Sequence, residues 1–193
     1  LGSDAPAASQ PATQWVSALL SNPGLLGVYV LGAVNQRIIV NGFVYFFVPL
    51  YLASLGATTG DTGRILLLYG LVMVFTRPVV SLLLERVRSM ALIVALATVA
   101  SGGTLLLFPG MPHVAGLVLL APMLSIAHSC IEAPMAAAVL ESADRSPAIS
   151  PGLSLSLLKL SERSGGVLGP IVVAALMTLY PLPTVAVILG ISV

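Results

Sequence analysis

The chain contains the run GRILLLYGLVMVFTRPVVSLLL at residues 63–84, the charged segment ERVRS at residues 85–89, and the run MALIVALATVASGGTLLLF at residues 90–108. At about 1.5 Å of rise per residue, a helix made of either run is long enough to cross the roughly 30 Å hydrocarbon core of a bilayer. A connection as short as residues 85–89 requires the two helices to run antiparallel. These residues therefore predict a transmembrane helical hairpin.

The same alternation of long apolar runs and short polar connections extends in both directions from this hairpin. The additional spans are predicted at about residues 25–53, 113–140 and 152–180, with a sixth that starts near Thr184. The runs are continuous and lack the alternating pattern of a membrane β-barrel, so helix is favoured over strand. We therefore predict an all-α membrane fold, with a linker at residues 1–21 and a six-helix transmembrane domain at residues 22–193 whose last helix is truncated.

The composition excludes several classes of protein. Hydrophobic residues make up 58% of the chain and charged residues 8%, against about 25% charged residues in an average soluble domain. Too few polar groups remain to cover a water-soluble enzyme, and the formal net charge of +1 gives no basic field for nucleic acid. The motifs of serine hydrolases and of phosphate-binding loops are absent from the sequence. We expect a lipid-embedded protein with no enzymatic activity, no cofactor and no nucleic-acid partner.

The basic residues of the short loops predict the orientation of the helices. Arg86 and Arg88 follow the second span and Arg145 follows the fourth, whereas the loops after the first, third and fifth spans have only Arg64 between them. Because Lys and Arg are enriched in cytoplasmic loops, we expect the linker and the loops after even-numbered spans in the cytoplasm. The expected location is an integral position in a bacterial-type inner (plasma) membrane.

Ionisable side chains are distributed unevenly over the predicted spans. Those within the spans are Arg37, Arg77, His128, Glu132, Lys159, Glu162 and Arg163. They occupy the first, second, fourth and fifth spans, whereas the third span and the visible part of the sixth have none. Charges at membrane depth usually face a bundle interior or a wet cavity, so the third and sixth spans should face lipid. The order suggests a three-plus-three internal repeat of the kind found in many transporters; chance placement is the alternative.

Two spans carry polar residues along one predicted helical face. Arg37, Asn41 and Tyr45 recur at intervals of four residues and form a polar ridge on the first span. His128 and Glu132, also four residues apart, share a face of the fourth span. We expect all five residues to line a pathway for substrate or protons. The spacing of His128 and Glu132 also occurs in metal sites on helices, but two ligands are too few, so we expect no metal site.

The fifth span is predicted to present two different faces. Lys159, Glu162 and Arg163 share one face, where Glu162 and Arg163 join the predicted pathway, unless the three charges only neutralise one another locally. Lys159, and Arg77 on the second span, lie nearer the cytoplasmic side, so we expect their long side chains to reach the headgroups. Small residues suited to close helix packing occupy the other face, at Ser161, Gly165 and Gly169.

Proton coupling requires a group that changes its charge state, and Arg37 and Arg163 remain protonated at accessible pH. Glu132 is the favoured proton carrier, and we expect it to titrate together with His128, which lies one turn before it. The alternative is that Glu132 pairs permanently with Arg37 or Arg163 across the cavity and has a structural role.

The segment RPVVSLLLER at residues 77–86 resembles the loop motif of the major facilitator superfamily of transporters. Ser81 stands at the position of the first glycine of that motif, Glu85 at that of the aspartate and Arg86 at that of the arginine. The residues that carry the resemblance are Arg77, Pro78, Ser81, Glu85 and Arg86. The resemblance implies that this loop takes part in the change between conformations, and that residues 22–193 are similar to the C-terminal six-helix half of such a transporter.

The phrase GGVLGP at residues 165–170 is similar to the eleventh-helix segment of many drug and metabolite exporters. The implied activity is secondary transport of a small solute by alternating access, with proton-coupled export by an antiporter as one form. The implied partner is the N-terminal six-helix half of the same protein. Four buried cations against two acids would suit an anionic solute. The competing hypothesis is a membrane-embedded sensory or anchoring module of a larger signalling protein.

Overall fold

The computed structural model describes residues 27–84, 90–111, 113–144 and 150–192, and within them the chain is helical, with no β-strand. The predicted all-α class is confirmed. The predicted linker at residues 1–21 lies outside the described residues. The helix bounds are 28–54 for α1, Thr59–Leu84 for α2, Met90–Leu107 for α3, Val114–Asp144 for α4, Pro151–Leu179 for α5 and Leu182–Ile191 for α6.

Five of these helices are long and apolar enough to cross a membrane. The qualifying stretches are Gly32–Ser54, Thr59–Leu83, Leu92–Gly110, Val114–Glu141 and Pro151–Leu179. The sixth helix, Leu182–Ile191, is apolar but shorter. Five long spans followed by a short one agree with the spans predicted from the sequence, and they are compatible with an integral membrane protein.

A capping box explains why α2 begins earlier than the sequence predicts. The sequence predicts a turn up to Asp61, but the Thr58 hydroxyl donates a hydrogen bond to Asp61 Oδ2 at 2.7 Å and accepts one from the Asp61 N–H at 3.2 Å. The Thr58 N–H also donates to Asp61 Oδ2, at 3.1 Å. These bonds satisfy backbone donors that have no partner in the first turn of a helix, so α2 starts at Thr59.

The connection between α4 and α5 is shorter than predicted. The sequence predicts a polar loop from Glu141 onwards, whereas α4 continues to Asp144. At the other end of the connection, the Ser150 hydroxyl accepts a hydrogen bond from the Leu153 N–H at 3.3 Å, and Pro151 occupies the first turn of α5. A serine cap followed by proline is a strong helix start, which fixes the beginning of α5.

The first helix departs from regular α-helical geometry. Two π-helical stretches, Val28–Val34 and Ile38–Phe47, flank a short α-helical turn at Asn35–Arg37, and the helix ends with an α-helical segment at Val48–Ser54. The i→i+5 bonds of a π-helix turn the chain less per residue than the bonds of an α-helix. Residues four and five positions apart therefore lie on the same side of these two stretches.

Glycine residues allow α5 to pack closely against α1. A Cβ atom on Gly169 would lie only 2.8 Å from the backbone nitrogen of Gly42, and one on Gly165 would collide with the backbone of Val34. No larger residue fits at these two positions unless the helices move apart. Ser161, the third small residue of this face, is half-buried.

The remaining helices pack around α4. Helix α4 contacts α2, α3 and α5, and α6 packs against α3, while α1 also contacts α4 and α6. Aromatic rings fill one end of the core: the Phe108 ring centroid lies 4.9 Å from that of Tyr51, 5.6 Å from that of Phe47 and 5.7 Å from that of Phe43. These edge-to-face contacts join α1 to the turn after α3.

The helices differ in how far the rest of the protein covers them. In the most apolar stretch of α4, 56% of the residues are buried, against 17% in α2 and 17% in α5. Helix α4 is therefore central to the bundle, and α2 and α5 present most of their surface outwards.

Candidate functional site

Glu132 of α4 forms ion pairs with cations from two other helices. Its Oε1 lies 3.2 Å from Nη2 of Arg37 on α1. Its Oε2 accepts a hydrogen bond from Nη2 of Arg77 on α2. The single carboxylate therefore links α1, α2 and α4.

Glu162 of α5 forms a second pair of contacts. Its Oε2 accepts a hydrogen bond from the Lys159 ammonium at 2.9 Å and lies 3.4 Å from Nη2 of Arg37. The same nitrogen of Arg37 thus lies close to both carboxylates. We refer to these residues together as the ion-pair cluster: Arg37, Arg77, Glu132, Lys159 and Glu162.

The ion-pair cluster lies far from the helix ends. It joins α1, α2, α4 and α5, the four helices whose predicted spans contain charged side chains. The side chains of Glu132 and Glu162 are 14% and 15% exposed, whereas those of Arg77 and Lys159 are 48% and 65% exposed. At about 1.5 Å per residue, Glu162 lies roughly 17 Å from the start of α5 and Glu132 roughly 18 Å from the end of α4. The acids are therefore central in depth, and the outer cations face away from the bundle.

Arg77 has a partner that the sequence does not predict, whereas the pair of Lys159 with Glu162 is one that the alternative of local neutralisation on α5 includes. The positions of both cations suggest side chains that reach the headgroups, whereas the structure pairs Arg77 with Glu132 and Lys159 with Glu162. The difference has a physical reason, because a carboxylate within reach at membrane depth offers a long cation a charged partner. The pairing of Glu132 with Arg37 is the one that the structural alternative for Glu132 requires.

Two buried atoms of the ion-pair cluster have no hydrogen-bond partner in the described part of the chain. They are Nε of Arg37 and Oε1 of Glu132. The 3.2 Å separation between Arg37 Nη2 and Glu132 Oε1 is an electrostatic contact without the geometry of a hydrogen bond. A buried ion pair is most stable when its remaining donors and acceptors are also satisfied. The cluster is therefore not fully hydrogen-bonded within the part of the chain that the structure describes.

The other two residues of the predicted ridge on α1 lie away from the ion-pair cluster. Asn41 is half-buried against α5, and its Nδ2 would lie 2.7 Å from a Cβ atom on Gly166. Tyr45 is 51% exposed, and its ring meets the Tyr69 ring of α2 edge-on, at 6.2 Å between centroids.

His128 also lies outside the ion-pair cluster, although it is one turn before Glu132. The fully buried ring has Nδ1 2.8 Å from the Tyr69 hydroxyl and Nε2 3.2 Å from the Ser101 hydroxyl. The His128 carbonyl accepts a hydrogen bond from Gln36 Nε2 at 3.5 Å. We refer to Gln36, Tyr69, Ser101 and His128 as the histidine network. Both ring nitrogens have neutral partners, on α2 and α3, and coupled titration with Glu132 stays a prediction.

The histidine network contains residues that the sequence does not single out. Ser101 is one of few polar residues on the apolar helix α3, and this contrast is a signal that it has a polar partner. Tyr69 gave no such signal, since aromatic residues are common in membrane spans. Ser125, one turn before the ring, donates to the Tyr69 carbonyl at 2.7 Å and holds α2 against α4.

Arg163 occupies a different position from the rest of the predicted pathway. Its side chain is exposed, and it forms no ion pair with a carboxylate in the part of the chain that the structure describes. Together with Lys159 and Ser156 it lines an open groove of about 420 Å³ along α5. The structure therefore brings Arg37, Glu132 and Glu162 together and leaves Arg163 beside them without an acid.

The first part of the predicted loop motif lies next to the ion-pair cluster. Arg77, Pro78 and Ser81 line an open groove of about 580 Å³ that also includes Glu132. Glu85 and Arg86, the charged residues of the motif, lie outside the described residues. Arg77 therefore belongs both to the motif and to the cluster.

The described residues hold no group of three or more His, Cys, Asp or Glu side chains that could bind a metal ion. No protein-family model matches this chain, and no curated protein matches its sequence. A function is therefore inferred from the chemistry of the ion-pair cluster and from the way the helices surround it.

Proposed function

We propose that the six helices form one half of a secondary transporter of the major facilitator type, which moves a small solute across the membrane by alternating access. The observation that carries the proposal is the ion-pair cluster. Charged groups at membrane depth are costly and usually line a solute or ion pathway. In this cluster, three of the four ion pairs join different helices, so those three break or form when the helices move relative to one another.

The pattern of helix contacts supports a three-plus-three repeat. Exchanging α1 with α4, α2 with α5 and α3 with α6 relates the α1–α5 contact to the α4–α2 contact, and both are extensive. The same exchange relates the extensive α3–α4 contact to a much smaller contact between α6 and α1. The α3–α6 and α1–α4 contacts each map onto themselves. This symmetry is the one expected of transporters built from repeated three-helix units.

The same exchange relates the ion pairs. The pair between Arg37 of α1 and Glu162 of α5 corresponds to the pair between Glu132 of α4 and Arg77 of α2, with the signs of the charges reversed. Chance placement of charges gives no reason for such correspondence, so the pairing favours the repeat.

The open faces of α2 and α5 favour a second half. Arg77 and Lys159 direct partly exposed cations away from the bundle at these faces, and only 17% of each helix's apolar stretch is buried. Lipid is a poor solvent for such charges. We propose that the N-terminal six-helix half of the same protein covers these faces and encloses the solute pathway.

Glu132 is the candidate proton carrier within this proposal. Protonation would remove its charge and release both Arg37 and Arg77, which would separate α1 and α2 from α4 electrostatically. Proton-coupled export by an antiporter would use this release. The structural alternative, in which Glu132 remains paired, predicts that a variant without this charge fails to fold or insert.

Reconstitution into liposomes tests the proposal. The complete protein and residues 1–193 alone are compared for uptake of a panel of small organic anions, cations and neutral solutes. We expect uptake by the complete protein and none by the isolated six helices, because these helices supply only one wall. A complete protein that moves no solute and carries a soluble catalytic domain would favour the sensory module instead.

A further inference from the structure

Arg163 is a cation of the predicted spans that has no acidic partner among the described residues. Both acids of the ion-pair cluster already contact two cations each. Away from the span ends, where Asp61, Arg64 and Glu141 lie, the described spans contain four cations, the fourth being Arg163, against two acids, so two positive charges are in excess at membrane depth. A net positive charge at membrane depth is unfavourable unless a negative group lies beside it.

The depth of Arg163 argues against contact with lipid headgroups. Arg163 lies about 18 Å from the start of α5, and the whole helix is about 42 Å long, at 1.5 Å per residue. With a hydrocarbon core of roughly 30 Å centred on the helix, the residue is about 12 Å inside the boundary. An arginine side chain is too short to bring its guanidinium to the headgroups from that depth. The negative group must therefore come from a solute or from another part of the protein.

The groove beside Arg163 has the chemistry of a carboxylate site. Lys159 also lines it and uses one of its ammonium protons for Glu162, which leaves two donors. The planar guanidinium of Arg163 presents a fork of N–H donors that matches a carboxylate. Leu155 and Leu160 supply apolar walls. The groove thus combines two cationic donors with a surface for a small hydrophobic body.

We propose that this groove binds the carboxylate of the transported solute, which makes that solute a small organic anion with an apolar body. The proposal rests on the transport function inferred above and names its substrate class. The carboxylate lies between the Arg163 guanidinium and the Lys159 ammonium, and the apolar part of the solute packs against Leu155 and Leu160.

Calorimetric titration of the complete protein in phosphatidylcholine nanodiscs tests the proposal, with benzoate as the probe and neutral benzamide as its isostere. We expect benzoate to bind and benzamide to bind at least about tenfold more weakly, since a charge-assisted hydrogen bond contributes roughly a factor of ten or more. Arg163→Gln should weaken benzoate binding by a similar factor. Arg64→Gln is the control, because Arg64 is 82% exposed and pairs with Asp61 at the start of α2.

A second variant keeps the proposal testable if Arg163→Gln does not fold. Ser156→Asp places a carboxylate inside the groove, two turns before Arg163 on the same face. This internal acid should displace benzoate and abolish its binding. Equal binding of benzoate and benzamide, or benzoate binding unchanged in these variants, would overturn the proposal. Loss of benzoate binding in nanodiscs that contain phosphatidylglycerol would also overturn it, since the groove would then take a lipid headgroup.

The outcome for the substrate class is separable from the outcome for transport. Arg163-dependent binding of benzoate, together with no uptake of any solute of the panel by the complete protein, supports the site and contradicts the transporter. Uptake of neutral or cationic solutes that Arg163→Gln leaves unchanged supports the transporter and contradicts the site.

Discussion

The ion-pair cluster and the histidine network lie one turn apart on α4 and are built in opposite ways. The histidine network is closed: His128 is fully buried, and each ring nitrogen has a neutral hydroxyl partner. The ion-pair cluster is open: its outer cations are partly exposed, and a buried donor on Arg37 has no partner among the described residues. Satisfied neutral networks rigidify a protein, whereas unbalanced charge at membrane depth marks a site that acts on a ligand or an ion.

The largest effect is expected from removal of the shared cation of the ion-pair cluster. Arg37→Gln removes two charge contacts at once, to Glu132 and to Glu162, and should lower the free energy of unfolding by about 3–5 kcal/mol, at about 1.5–3 kcal/mol for each contact with a charged group. Denaturant unfolding in detergent micelles measures this loss. The double variant Arg37→Gln/Glu162→Gln should recover part of it; no recovery would mean that Arg37 and Glu162 are not coupled.

A somewhat smaller loss is expected when the histidine network is opened. His128→Leu leaves the Tyr69 and Ser101 hydroxyls buried without a partner, which should cost about 2–4 kcal/mol of unfolding free energy. Because the ring lies outside the ion-pair cluster, solute exchange by the folded variant should persist. If exchange is lost while the protein remains folded, the two regions are not separate in function.

The close contact of α1 with α5, which holds two sides of the ion-pair cluster together, should be sensitive to a single methyl group. Gly169→Ala forces the helices apart and should cost about 1–3 kcal/mol of unfolding free energy, as overpacking does. Gly103→Ala on α3 is the matched control, because a Cβ atom there meets no other atom within 4 Å. The control should be neutral or slightly stabilising, and equal losses at both positions would contradict the close packing.

Removal of the Glu132 charge should change function more than stability. Glu132→Gln keeps an acceptor for Arg77 and should cost only about 1 kcal/mol of unfolding free energy, the difference between a charged and a neutral hydrogen bond. If Glu132 carries the proton, the variant loses pH-driven transport and keeps solute exchange. A full response to a pH gradient in the variant would show that another group is the carrier, and failure to insert would favour the structural role.

Labelling of single cysteines should leave stability unchanged and show which loops lie on the cytoplasmic side of the membrane. Cysteines at Ser89 and Ser146 are expected to be shielded from an impermeant thiol reagent in intact cells, and one at Thr59 should react. The naturally occurring Cys130 is replaced by Ala as the background. The converse labelling pattern would reverse the orientation inferred from Arg86, Arg88 and Arg145.

The spans were predictable from the sequence because hydrophobic length is a strong signal in a bilayer. The four charged helices were also predictable, since a charge at that depth is rare. The ion-pair partners were less predictable than the spans. Arg77 was expected to reach the headgroups because it lies near a loop in the sequence, and this position gives no information about a carboxylate on α4. His128 was grouped with Glu132 because four-residue spacing fixes a face of the helix and leaves the direction of the ring undetermined.

The geometry of α1 was not predictable by the same reasoning. Hydrophobic runs fix that a helix forms, and they do not distinguish α-helical from π-helical winding. The side chains of the predicted polar ridge, Arg37, Asn41 and Tyr45, contact different neighbours, which their spacing alone does not identify. The cluster depends on how α1 packs against α4 and α5, which the hydrophobic pattern does not fix.

Arg37 lies between two carboxylates, Glu132 on α4 and Glu162 on α5, that compete for its guanidinium. Its Nη2 lies 3.2 Å from an oxygen of Glu132 and 3.4 Å from an oxygen of Glu162, so a shift of the guanidinium towards one carboxylate leads away from the other. A tilt that moves α4 away from α1 leaves Arg37 paired with Glu162 and strengthens the contact between α1 and α5. The reverse tilt strengthens the contact between α1 and α4. Because such coupling is reciprocal, a stronger ion pair between α1 and one of these helices weakens the ion pair between α1 and the other.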